Sequence, residues 1–111
     1  MPERRPRERA RPHLPLAVVV HCFAADDFSA TARVQRHLDR RGWHRATVVS
    51  CICSMASTDF HKSQEHLGRP GVWLDTYKPV FEGRRMYIKF TKREDGSGFV
   101  LLSFCLDGEE H

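Results

Sequence analysis

The chain has 111 residues, which fits one domain and leaves little room for a second, and its 41% hydrophobic content excludes a disordered composition while allowing a modest core without disulfides. The formal net charge is +4, but five arginines (Arg4, Arg5, Arg7, Arg9, Arg11) against two glutamates (Glu3, Glu8) concentrate most of it in the first eleven residues. The rest of the chain is nearly neutral, so any anion-binding property there must come from local clustering of cations rather than from net charge.

Residues 1–12, rich in Pro and Arg, read as a basic flexible arm, and residues 13–111 as a single domain. The run LPLAVVVHCFAA resembles a leader in its basic flank and small trailing residues. Its apolar part is short, however, and His21, Cys22 and two aspartates interrupt it, so it reads as a buried first helix begun by Pro15. No stretch approaches the ~18 apolar residues of a membrane span. With no targeting segment, a cytoplasmic location and reduced cysteines are expected. Asp26, Asp27 and Ser29 form a break and offer an N-cap for the helix ATARVQRHLDRR, which Gly42 ends. In that helix Ala30, Val34 and Leu38 share one face and Arg33, Arg36 and Arg40 another.

Residues 44–55, HRATVVSCICSM, are ambiguous. Their β-branched content favours a strand, whereas the spacing of Val48, Cys51, Ile52 and Met55 favours a buried helix. Ser57, Thr58 and Asp59 look like the cap of a short turn carrying Phe60, His61 and Lys62. After a loop marked by Gly68, Pro70 and Gly71 come three strand-like runs, 72–78, 84–91 and 98–106, joined by short links. Short links imply an antiparallel meander, and helices followed by strands imply an α+β fold with the helices on one sheet face.

The middle run is the most informative. Met86, Ile88 and Phe90 alternate with Arg85, Tyr87 and Lys89, so a buried face opposes a face carrying two cations and a phenol. That second face suits a nucleic-acid backbone: cations for phosphate charge, an aromatic ring for stacking, a hydroxyl for hydrogen bonding. An ordinary solvated sheet face is the competing reading. Trp73 reads as structural, and Asp75 as an ion-pair partner of Arg84 or Lys78. The four cysteines include one C-x-C, Cys51 and Cys53, with no second pair and no matching histidines, so no metal site and no cofactor are expected.

DFHKS at 59–63, VWLDTYKP at 72–79, MYIKF at 86–90 and LLSF at 101–104, with RPHLPLA at 11–17, together resemble the MqsR toxin family. The resemblance implies a RelE-like fold, N-terminal helices on a C-terminal antiparallel meander, and resolves residues 44–55 as helix. It implies a sequence-selective, metal-independent mRNA endoribonuclease, neutralised by a cognate antitoxin that usually also binds DNA. Of the family's four proposed catalytic positions, the lysine falls on Lys62 and the strand tyrosine on Tyr87. The glutamine falls on Leu74 and the last lysine on Cys105, two departures toward lower polarity. By register Leu74 and Cys105 belong on the open face. Lys62, Lys89 and Arg85 are the candidates for phosphate charge and Tyr87 for a hydrogen bond or proton transfer. His61 is a better proton carrier if it reaches the site, although neighbours on a strand ordinarily point apart. The departures keep a second reading open, a catalytically weakened RNA-binding or antitoxin-binding module of the same family. A third is an interaction domain that holds its partner by a sheet edge.

Overall fold

In the computed structural model, which describes residues 7–109, three helices stand in the first half of the chain and the long strands in the second. The order is β1 (Glu8–Arg9), α1 (Leu16–Ala24), β2 (Phe28–Ala30), α2 (Ala32–Arg41) and α3 (Arg45–Cys53). A 3-10 turn (Ser57–Asp59) then leads into β3 (Phe60–Glu65), β4 (Trp73–Tyr77), β5 (Val80–Phe81), β6 (Arg84–Lys92) and β7 (Phe99–Leu106). The fold is α+β, as expected.

Each helix follows from its sequence. In α1, Val19 and Phe23 lie one turn apart and both are fully buried. Thr31 caps α2, its hydroxyl accepting from the Val34 N–H at 3.2 Å, and Gly42 ends the helix in the left-handed conformation (φ 68°) that glycine adopts without steric cost. The expected cap at Asp26–Ser29 is therefore displaced: Ser29 sits in β2, because this break joins the sheet edge rather than a helix start. Residues 45–53 are helical, since Val48, Cys51, Ile52 and Met55 at helical spacing all reach the core. Cys51 is buried and Cys53 exposed, so the C-x-C pair is split between core and solvent. Burial pushes the Cys51 thiol up to about 12, which leaves it protonated and inert.

The sheet runs β1-β3-β4-β6-β7-β2, with β5 pairing β6. Strands β4, β6 and β7 form the expected antiparallel meander, β3 extends it antiparallel beside β4, and β2 adds in parallel beside β7. That parallel edge requires a close approach at Gly98 (φ 60°), where a Cβ would lie 2.5 Å from the Asp27 carbonyl oxygen. The helix-facing side of the sheet carries Tyr77, Met86, Ile88, Phe90, Phe99, Leu101 and Phe104. Phe23, Phe28, Phe90 and Phe99 pack with ring centroids 4.5–5.9 Å apart. Each such ring removed from water stabilises the fold by about 1.5–3 kcal/mol.

Two expectations are corrected. Over its described residues the basic arm is docked: Glu8 and Arg9 pair with Gln64 and Ser63 of β3. Arg7 grips Glu65 with two hydrogen bonds, and the Arg9 guanidinium lies 3.6 Å over the Trp73 ring. Asp75 pairs with neither Arg84 nor Lys78. It is 2% exposed and accepts from the backbone N–H groups of His13 and Leu14, fixing the chain as it enters α1.

Candidate active site

The side of the sheet opposite the aromatic core carries long, partly exposed polar side chains over small buried ones, Thr76 and Ser103. Register builds a row across it: Lys62 opposes Thr76, Thr76 opposes Lys89, and Lys89 opposes Ser103. Two lysines thus stand on either side of a small threonine, two strands or about 10 Å apart at their Cα atoms. Tyr87, two residues from Lys89 on β6, faces the same way, and Lys89 Nζ lies 5.9 Å from its ring centroid. Arg85 follows on that face and donates to the Lys78 carbonyl oxygen at 3.2 Å.

The expected turn over 60–62 is instead the start of β3, and it contains a bulge. Phe60 opposes Tyr77 while Lys62 opposes Thr76, so His61 is an extra residue in β3. A bulge suspends the alternation that would separate His61 from Lys62. His61 is exposed and its pKa is lowered from the usual 6.5, first by partial desolvation and then by the cations Lys78 and Lys62. It therefore belongs to the same electrostatic neighbourhood as Lys62.

Lys78 also joins this cluster, where the sequence pattern suggests it only as a partner for Asp75. Its Nζ lies 5.8 Å from the Tyr87 ring centroid and 3.3 Å from Asp107 Oδ1. Strand alternation after the buried Tyr77 is the signal that places it there. Two carboxylates border the cluster: Asp107 on Lys78, and Glu8 of β1, whose Oε1 is 3.3 Å from Lys62 Nζ.

The two departures separate. Leu74 lies partly exposed on the open face, beside the lysine row. Cys105 opposes Tyr87 and so has the expected register, yet it is only 1% exposed, which corrects its expected accessibility. The turn after β7 covers it: its Sγ lies 3.7 Å from the Glu109 carbonyl oxygen, and Arg41 of α2 pairs with the Glu109 carboxylate. Burial pushes the Cys105 thiol up. Among the described residues, no group of three or more His, Cys, Asp or Glu is placed to hold a metal ion, and no helix is long and apolar enough to cross a membrane.

The fold and this face together define a small α+β domain whose open sheet surface gathers an imidazole, a phenol, three lysines and an arginine. A family model described as motility quorum-sensing regulator, toxin of MqsA, matches residues 11–105, and the chain belongs to this MqsR toxin family. It is thus the toxin of a toxin–antitoxin pair with a cognate antitoxin as partner, in a family that is generally one of ribonuclease toxins. A search of curated proteins found no match.

Proposed function

We propose that the protein is a cytoplasmic, sequence-selective endoribonuclease that cleaves mRNA without a metal ion, and that the open face is its active site. The observation that carries this reading is the convergence of Lys62, Lys89 and Tyr87 on one face, with His61 of the β3 bulge within electrostatic reach of Lys62 and Lys78. The ribose 2′-oxygen attacks the adjacent phosphorus, the 5′-oxygen leaves, and a 2′,3′-cyclic phosphate forms. The chemistry needs a proton acceptor for the 2′-hydroxyl, a donor for the 5′-oxygen, and cations for the over-charged phosphorane.

His61, with its pKa lowered by partial desolvation and two nearby ammonium groups, favours the neutral form at pH 7 and is suited to accept the first proton. Lys62, Lys89 and Arg85 supply positive charge, with Lys78 added from the geometry. Tyr87 donates a hydrogen bond to the reacting phosphate or a proton to the leaving oxygen. The proposed antitoxin also binds DNA. A second reading is favoured by one observation, the burial of Cys105 where the family has a lysine: a weakened module that retains binding. Incubation of purified protein with a long RNA in EDTA separates the two. Fragments ending in 2′,3′-cyclic phosphate support the nuclease, and intact RNA that is nonetheless retained supports the module. Cleavage restored only by magnesium overturns metal independence.

A further inference from the structure

A groove of about 650 Å³ adjoins the lysine row on the same side of the sheet, within the size range of small-ligand sites. Its apolar lining includes the partly exposed Leu74 of β4 and Val100 and Leu102 of β7, together with Val72 and Trp73. Leu102 is there because β7 carries its own bulge: Lys89 opposes Ser103 while Phe90 opposes Leu101, so Leu102 is the extra residue. Cations also line the groove. Arg69 and Arg93 are committed to Glu94 and Asp27. Arg33 of α2 and Lys89 and Lys92 of β6 form no ion pair among the described residues.

We infer that this groove holds one base of single-stranded RNA, the base next to the cleaved phosphate. The inference rests on the nuclease reading and adds to it the place where sequence is read. An apolar lining with uncommitted cations matches a nucleotide, whose base has two apolar faces and whose phosphates are anionic. Lys89 ties the two places together, since it lines the groove while its Nζ lies 5.9 Å from the Tyr87 ring. A strand bound across the lysine row thus presents its next base to Leu74.

The test uses the full-length protein and short DNA oligonucleotides, which lack the 2′-hydroxyl and cannot be cleaved by this route. One base at a time is replaced by an abasic sugar. Removal of one particular base is expected to weaken binding by about five- to a hundredfold, the range for a stacked base. Filling the groove with Leu74→Trp, or with Val100→Trp if the first variant does not fold, is expected to abolish that sensitivity while the salt dependence persists. Tight, salt-sensitive binding that no abasic substitution weakens overturns the groove and leaves the nuclease reading intact, as does a base-sensitive variant with the groove filled. That result would also be expected if the groove served an acidic peptide of a protein partner. Absence of any oligonucleotide or RNA binding overturns both.

Discussion

At the scale of single residues, the proposed site sets groups assigned to the chemistry apart from groups that hold the sheet. Tyr87 and Lys62 differ from Tyr77, whose hydroxyl is fully buried and pushed up to about 12 by burial and Asp75, and which packs 5.8 Å from Phe90 as core. Tyr87→Phe and Lys62→Ala are each expected to lower cleavage at least tenfold, ~1.4 kcal/mol of transition-state stabilisation, with melting temperatures nearly unchanged. If they serve one phosphate, the double variant is little worse than the worse single one. Single-turnover assays on one RNA check this, and wild-type cleavage by Tyr87→Phe would sink the assignment. His61 carries a prediction with a sign. Its pKa lies below 6.5, so the neutral, proton-accepting form persists through pH 7 and is lost only on the acid side. kcat/KM is expected to be flat near neutrality and to fall as pH drops through that lowered pKa, and His61→Asn should remove this limb. A profile whose acid limb survives His61→Asn assigns the base elsewhere.

At the scale of elements, the two bulges and the turn after β7 decide what the open face presents. The bulge in β3 makes His61 the extra residue beside Lys62, and the bulge in β7 makes Leu102 the extra residue at the groove. The turn after β7 has the opposite effect, sealing Cys105 under Glu109. Cys105→Lys, the residue type that the family resemblance implies here, is therefore expected to place an ammonium beneath that turn and near Arg41, where Glu109 is already paired with Arg41 and Asp107 with Lys78. We expect a loss of about 2–4 kcal/mol in denaturant unfolding and no gain in cleavage. A stable variant with higher activity would show that the turn opens and that the lysine reaches the site.

At the scale of the whole molecule, charge is distributed by the fold rather than by composition. The open face collects Lys62, Lys78, Arg85 and Lys89 in a domain that is nearly neutral beyond its first eleven residues. Strand β1 has two opposing electrostatic roles, bringing arginines to the sheet edge and setting Glu8 against Lys62. A chain beginning at Pro12 lacks both. RNA affinity plotted against salt on log axes should become shallower by roughly one unit for each phosphate that the arginines no longer neutralise. Equal slopes would show that the arm contributes packing on Trp73 and does not touch RNA.

Local pattern in the amino-acid sequence is enough to define most elements and the face each side chain takes. Helical spacing in α2 and the alternation of Met86, Ile88 and Phe90 with Arg85, Tyr87 and Lys89 are set by side-chain direction within one element. The order of the short motifs points to the family. Packing alone settles whatever depends on an extra residue or on a distant strand. Alternation puts His61 and Lys62 on opposite faces, because a bulge depends on the partner strand's register and leaves no periodic trace in its own. The docking of β1, the capture of Asp75 by the backbone at His13 and Leu14, and the burial of Cys105 all join residues far apart in the chain, or at its end. Sequence spacing carries no information about such contacts, since they form only when packing brings the segments together.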